Sequence, residues 1–231
     1  MKTRIINVDP FFPEIDKIAF CANMIREGGL VIFPTETVYG LGADFGNKKA
    51  LERLRKVKRR PEDKPFSILI DKPSKILHLT SYNDPDLYKL IDKLWPGPLT
   101  VIVPAKGSEG TLGIRVPDHA VALRLVAHSQ CLLAAPSANV EGQPPPTICQ
   151  EALKDLDGLV DIALDAGSCR LGIHSTIVDF TQSAPQVTRE GSVTAEEVSR
   201  ITQRKTILFV CTGNSCRSVM AEYLLKKMLG S

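Results

Sequence analysis

Three groups of side chains in this sequence stand at spacings that suit work on anions. The first is a hydroxyl and carboxylate cluster, Thr35-Glu36-Thr37, placed directly after the run Leu30-Val31-Ile32-Phe33-Pro34 and followed by Tyr39, Gly40 and Gly42. An apolar run ended by proline displays the next residues at a strand end, and glycines there form a flexible floor that lets backbone N–H groups come close to a ligand. The same order returns at Leu132-Leu133-Ala134-Ala135-Pro136, followed by Ser137 and Asn139, which point to one side if the backbone stays extended. The second group is a run of cations, Arg53, Arg55, Lys56, Lys58, Arg59 and Arg60, which Pro61 stops just before the apolar stretch 66–70. Arginine grips phosphate or carboxylate oxygens bidentately and lysine acts as a point charge, so cations at a strand entrance can hold a triphosphate. The third is Cys211-Thr-Gly-Asn-Ser-Cys-Arg217-Ser218, set between the strand-like run 206–210 and a helical pattern over 219–229. Such a Cys-x5-Arg-Ser turn is a phosphate cradle in which backbone N–H groups and a helix N-terminus bind the oxyanion, and it lowers the thiol pKa.

Each pattern also has a plainer reading. The first is an ordinary strand exit, the second exit an Asn/Ser turn, and the cations a solvated face favoured at a helix C-terminus by the dipole. His174 is a candidate base in isolation. No Ser-His-Asp order or paired carboxylates accompany it, so it reads as a structural histidine.

The elements that must position these groups alternate irregularly. Residues 3–8 form an edge strand, and 16–27 a helix ended by Gly28-Gly29. A buried strand at 30–33 precedes a helix over 48–58, capped by Asn47, with Ala50, Leu51, Leu54 and Val57 on one face. Strands come next at 66–70 and 99–103, with a helix over 84–94 between them. A glycine-rich loop at 107–113 leads to a short strand beginning near Ile114, with Thr111 and Arg115 flanking it. A short segment at 120–128 is helical or irregular, and a stiff three-proline loop at 142–147 lies beyond the buried strand 132–135. Then come a helix over 147–156, strands at 160–165, 174–180 and 186–191, and a helix opened by the capping box Thr194-Ala-Glu-Glu197. The pattern predicts an α/β or α+β chain with a mixed sheet.

Composition narrows the class. The chain of 231 residues is 43% apolar and 24% charged, which is the balance of a globular protein with a true core. No apolar run approaches a membrane span and the N-terminus has no secretory h-region, so the expectation is a cytoplasmic protein without a membrane partner. Six cysteines without a Cys-x-x-Cys pair read as thiols, not as a zinc site. A net charge of +3 and an aromatic content of 6% give no general argument for nucleic acid.

Ordered motifs within residues 5–200 resemble the YrdC-like family of L-threonylcarbamoyladenylate synthases. They are Phe33-Pro-Thr-Glu-Thr-Val-Tyr-Gly-Leu-Gly42, Lys58-Arg-Arg-Pro61, Trp95-Pro-Gly-Pro-Leu-Thr100, Ile114-Arg-Val-Pro-Asp118, Ala135-Pro-Ser-Ala-Asn139, Ser175-Thr-Ile-Val-Asp179 and Arg189-Glu-Gly191. The resemblance implies a twisted sheet of parallel and antiparallel strands with flanking helices around a positively charged cavity. It implies a nucleotidyltransferase that joins L-threonine, bicarbonate and ATP into threonylcarbamoyl-AMP and releases pyrophosphate. That product serves N6-threonylcarbamoyladenosine formation at tRNA position 37. The implied partners are therefore these substrates, tRNA and a downstream threonylcarbamoyl transferase complex, with Mg²⁺ arriving on ATP and no metal held by the protein.

Residue by residue, the resemblance implies that Thr35, Arg115 and Ser175 bind L-threonine. Lys58 and Arg60 would be catalytic and face the ATP phosphates, with Thr111, Ser137, Asn139 and Arg189 as further ATP contacts. Catalysis would then rest on positioning and electrostatics, with no side-chain nucleophile. The sequence departs from the family pattern in three places: residues 64–69 carry no histidine, Pro145 stands where a hydroxyl often sits, and Glu190 replaces a proline.

Residues 206–231 resemble the start of a low-molecular-weight protein tyrosine phosphatase. That likeness implies Cys211 as nucleophile and Arg217 as phosphate binder, with Asn214 and Ser218 supporting the loop. The expected organisation is a synthase domain at 1–203 and a partial phosphatase domain at 204–231 that gives no useful turnover, since a lone strand and helix cannot build a core. The alternatives are an RNA-binding YrdC-like paralogue without this activity, and phosphatase activity of a complete C-terminal domain in a full-length fusion.

Overall fold

The computed structural model describes residues 2–203, 212 and 217–229. Among them, strands β1 (Arg4–Asn7), β2 (Val31–Phe33), β3 (Gly40–Asp44), β4 (Ile68–Leu69), β5 (Leu99–Pro104), β6 (Thr111–Arg115), β7 (Leu133–Ala134), β8 (Ile162–Asp165), β9 (Thr176–Asp179) and β10 (Gln186–Arg189) form one sheet. Its order is β1-β8-β2-β3-β7-β4-β6-β5-β9-β10. β8 runs parallel to β1 and β2, β4 to β6, and β5 to β9, while the remaining pairs are antiparallel. This is the mixed sheet with flanking helices that the sequence predicts.

Side-chain alternation along β2 decides the layers. Val31 and Phe33 enter one core with α1 (Ile15–Arg26) and α5 (Ala120–Ser129), through Ile18, Ile25, Leu125 and Val126. Leu30 and Ile32 enter the other, with α2 (Lys48–Lys58) and α6 (Cys149–Leu156), through Leu54, Ala152 and Leu156. At the far end of the sheet, α4 (Pro85–Leu94) and α7 (Ala195–Thr202) cover β5, β6 and β9 around Leu90, Val101, Val178 and Val198. The helix starts are local. Asn47 Oδ1 accepts from Ala50 N at 3.2 Å, Asp84 Oδ1 from Asp86 N at 2.7 Å, and Thr194 Oγ1 from Glu197 N at 3.1 Å. The edge strand β1, the buried β2 and the helix 120–129 all stand where expected.

Three elements differ from expectation. Gly40 and Gly42 are no flexible floor: they belong to β3, pairing Phe33 with Gly40 and Val31 with Gly42. The reason is steric. A Cβ at Gly40 would stand 3.1 Å from Phe33 Cζ, and one at Gly42 3.0 Å from Phe33 Cε1, so the Phe33 ring takes the space that side chains would fill. β6 begins at Thr111, because residues 111–114 pair with β5 from Pro104 back to Val101, and Gly113 is inside the ladder. A 3₁₀ turn at Pro73–Lys75 and a one-turn helix α3 (Ile76–Leu79) also fill a stretch without a sequence signal. Among the described residues no helix is long and apolar enough to cross a membrane.

Candidate active site

The two proline-ended strand exits are zipped together. Gly40 bridges Ser137, Leu41 N donates to Pro136 O at 2.8 Å, and Ala138 N donates to Tyr39 O at 2.8 Å. Beside this seam lies a cavity of about 140 Å³ whose wall includes Arg60, Arg115, Ser137, His174, Ser175 and Arg189. Three guanidinium groups meet there and no carboxylate lines it, so the cavity is an anion well. Burial, then the charges of Arg115 and Arg60, push the pKa of Arg189 down. Burial and Arg189 likewise lower that of His174, which is therefore neutral at neutral pH.

Arg115 is held from behind. Its Nε donates to Gly97 O at 3.2 Å, its Nη2 donates to Thr37 Oγ1 at 2.9 Å, and Nη2 lies 2.8 Å from Glu36 Oε1. A guanidinium can only donate, so the Thr37 hydroxyl accepts from it and passes its own proton toward Thr35 Oγ1, 2.8 Å away. Thr35 then donates to Val38 O at 2.7 Å and accepts from Val38 N at 3.2 Å. Thr35 is buried and lies outside the cavity wall; it reaches the cavity through Thr37 and Arg115. Ser175 is in the wall, with its Oγ 2.9 Å from Thr100 Oγ1 and its backbone O accepting from Arg189 Nη2 at 2.9 Å.

Lys58 and Arg60 divide their work. Lys58 is 1% exposed, and its Nζ donates to Ser137 O at 2.5 Å and Asn139 O at 2.7 Å. It thus clamps the backbone of the second exit and does not line the cavity. Burial, with Arg60 adding to it, pulls its pKa down to about 8. Arg59 closes α2 in a left-handed conformation, φ 50°, and turns Arg60 into the wall. Arg60 Nη1 donates to Glu141 Oε2 at 3.0 Å, and Lys64 Nζ donates to Glu141 Oε1 at 2.9 Å. The rest of the basic run is dispersed. Arg53 pairs with Asp161 at 2.6 Å, while Arg55 lies over the Phe66 ring at 4.9 Å.

Ser137 and Asn139 do not share a side, which corrects the extended-backbone expectation. The chain bends at Ala138 because Ala138 N is taken by Tyr39, and the Asn139 amide donates to Val140 O at 2.9 Å and Gln143 O at 2.7 Å. Ser137 faces the arginine cavity, and Asn139 lines another of about 400 Å³ under the proline loop, with Pro144, Pro145 and Thr147. Asn139 Oδ1, in a residue 8% exposed, has no hydrogen-bond partner among the described residues. Thr111 is exposed at the far end of β6 from Arg115 and lines neither cavity. Sequence reasoning missed Thr100 as a neighbour of the site, and it set His174, which stands in the cavity wall, aside as a structural histidine. Thr100 closes the Trp95-Pro-Gly-Pro-Leu-Thr100 motif, which was its only signal. Cys211 and Asn214 lie outside the described residues. Arg217 opens α8 (Arg217–Leu229), exposed, and Ser218 is buried.

Comparison with known proteins fits this geometry. Residues 23–191 match the Sua5/YciO/YrdC family, described as telomere recombination. The chain belongs to this family. It is 38% identical over 207 residues to the threonylcarbamoyl-AMP synthase of Pyrococcus abyssi, covering 86% of this chain and 61% of that protein. It is 37% identical over 195 residues to the Bacillus subtilis protein of the same name, covering 80% and 56%. The chain thus spans little more than half the length of these relatives. The crystal structure of P. abyssi Sua5 complexed with L-threonine superposes with a TM-score of 0.82 at 37% identity, over 86% of this chain and 61% of that one. Residues 206–231 match a second family, low molecular weight phosphotyrosine protein phosphatase.

Proposed function

We propose that this chain is an L-threonylcarbamoyladenylate synthase that acts in the cytoplasm and supplies the N6-threonylcarbamoyl group of tRNA. The observation that carries the reading is the convergence of Arg60, Arg115 and Arg189 on one small cavity with Ser137 and Ser175 hydroxyls, in a chain related to enzymes of that name. The amino acid carboxylate pairs with Arg115, and Ser175 and Ser137 orient its polar groups. The L-threonine amine and bicarbonate give a carbamate with loss of water. A carbamate oxygen then attacks the α-phosphorus of ATP, the bond to the bridging oxygen breaks, and pyrophosphate leaves. Arg60 and Arg189 offset the charge that develops on the phosphate oxygens.

A cavity of about 140 Å³ falls below the several hundred Å³ of most ligand pockets, so it suits the amino acid end and not a whole nucleotide. The nucleoside lies across the 137–139 segment, where Asn139 Oδ1 accepts from a base amino group or ribose hydroxyl. Thr35 acts through Thr37 and Arg115, and Lys58 by holding the 137–139 backbone in place. Mg²⁺ would come bound to the triphosphate and would supply neutralisation of its oxygens. The arginine cavity offers it no carboxylate, and no cluster of three or more His, Cys, Asp or Glu stands among the described residues.

Pyrophosphate release tests the reading. Release should require ATP, L-threonine and bicarbonate together, and release that ignores L-threonine would sink it. Residues 204–231 are read apart, as a phosphatase-type Cys-x5-Arg-Ser phosphate loop by sequence. Steady hydrolysis of an aryl phosphate that disappears in Cys211→Ser would give that loop an activity of its own.

A further inference from the structure

Carbamate formation leaves one proton to place. L-Threonine arrives as an ammonium ion, and that ion with bicarbonate gives the carbamate, one water and one H⁺. The N–C bond forms only after the ammonium has lost a proton, so the site needs a base beside its arginines. Arginine holds its protons at every working pH, and serine and threonine hydroxyls are too weakly basic to take one. The stretch 64–69, which carries no histidine, gives the cavity wall Ser67 and Leu69. Among the described residues of that wall, His174 is the one base that titrates near neutrality.

His174 is partly exposed, with its backbone fixed and its ring unengaged. Its O accepts from Ser192 N at 3.0 Å, and Gly191 packs so closely behind it that a Cβ there would stand 2.1 Å from that oxygen. Neither ring nitrogen makes a hydrogen bond among the described residues. Two other histidines are spent locally: His119 Nδ1 accepts from Val121 N at 3.2 Å, and His128 Nδ1 lies 2.8 Å from Arg124 O. The charged groups on the cavity side are Arg189 on β10, Arg115 on β6 and Arg60 beyond α2. Glu190, on the turn behind, is occupied by Ala195 N at 3.1 Å. Burial and Arg189 keep the imidazole neutral before substrate binds, and the same arginines disfavour the ammonium. The carboxylate and bicarbonate that enter offset these cations and favour the imidazolium once it forms.

We propose that His174 is the general base of carbamate formation. A ring nitrogen takes one proton from the L-threonine ammonium, and the freed amine attacks the carbon of bicarbonate. The N–C bond forms, a C–O bond of bicarbonate breaks, and the second amine proton leaves with the departing hydroxide as water. The proton on His174 is the one the overall reaction releases, so atoms and charge balance. This role rests on the synthase reading above.

The test follows threonylcarbamoyl-AMP formation against pH in the unaltered chain, His174→Gln and His174→Ala. At neutral pH, kcat/KM for L-threonine should fall about 10²-fold or more in both variants. The L-threonine Kd, read by calorimetry, should stay within about twofold, which separates a base from a binding or folding role. The unaltered chain should show an acid limb that both variants lose. A variant without the base depends on amine already deprotonated in solution, so its deficit should shrink about tenfold for each unit of rising pH until the amine is free. A structural role would give the same deficit at every pH. A loss under about threefold, a deficit constant with pH, or a rise in Kd that matches the whole loss would overturn the proposal. Those outcomes leave the synthase reading standing. If the unaltered chain forms no threonylcarbamoyl-AMP, that reading falls and the role of His174 falls with it.

Discussion

The two proline-ended exits, at 34–39 and 136–139, look alike in sequence and work in opposite ways. In the first, the hydroxyls turn inward. Thr35 and Thr37 form a relay that ends on Val38 O and holds Arg115, and Glu36 braces the same guanidinium. In the second, Ser137 offers its hydroxyl to the cavity, while Lys58 holds the backbone carbonyls of Ser137 and Asn139. One exit positions a charge through its side chains; the other presents side chains over a clamped backbone. A shared motif shape therefore does not assign a shared role, and the roles separate under substitution.

The largest effect is expected from Arg115→Ala. It leaves the Glu36 carboxylate buried without a cation, which costs about 3–5 kcal/mol of stability, and it removes the proposed anchor of the L-threonine carboxylate. Urea unfolding and the L-threonine KM would check it. A stability change under 1 kcal/mol (about a third of the smallest cost expected) would mean that the first exit does not depend on this pair.

Lys58→Met should cost about 2–3 kcal/mol, because two buried carbonyls lose their donor, and should abolish turnover by loosening the second exit. Lys58 also gives the two exits different pH behaviour. Its folded pKa, about 8, lies below its ordinary value of 10.5. Between these values the unfolded chain binds more protons, so this group makes stability rise with pH from about 8 upward. Activity that needs the ammonium clamp falls over the same window. A kcat profile that declines above pH 8 while urea stability holds, with the decline moved upward in Lys58→Arg, is the expected result. A flat profile through pH 10 would mean that the neutral amine, which keeps two N–H donors, clamps the two carbonyls as well as the ammonium does.

Next in size, Gly42→Ala should cost about 1–3 kcal/mol through overpacking against Phe33, and Phe33→Leu should recover part of it. Both changes act on the strand under the first exit, so thermal unfolding should move more than KM.

The finest contrast pairs Thr35→Ala with Ser137→Ala. Thr35→Ala should lose about 1 kcal/mol with its turn and weaken L-threonine use more than ATP use. Ser137→Ala should change stability by under about 0.5 kcal/mol while raising a substrate KM about tenfold, the worth of one hydrogen bond. Equal stability losses in the two would erase the distinction between the exits.

How much could be read from the sequence depends on where each signal resides. Asn47 and Thr194 announced their helices because a cap is a contact made within one turn. The family motifs marked Arg60, Arg115, Ser175 and Arg189, all of which the fold brings to one cavity. β3 was hidden because Gly40 and Gly42 read as breakers, and only the Phe33 ring on the neighbouring strand explains them. The split between Ser137 and Asn139 was hidden too, since it arises from a backbone bond to Tyr39, far away along the chain. Lys58 reads as one more cation of a basic run until burial and two carbonyls single it out.

The central proposal is that the arginine cavity and the adjoining 137–139 segment together build a carbamoyl adenylate from three substrates. The most direct measurement supplies ¹³C-bicarbonate with ATP and L-threonine and tracks the label by mass spectrometry. One ¹³C should enter each threonylcarbamoyl-AMP formed, in step with pyrophosphate, and Arg115→Ala should form none. An adenylate of L-threonine that carries no label, or label incorporation unaffected in Arg115→Ala, would contradict the account.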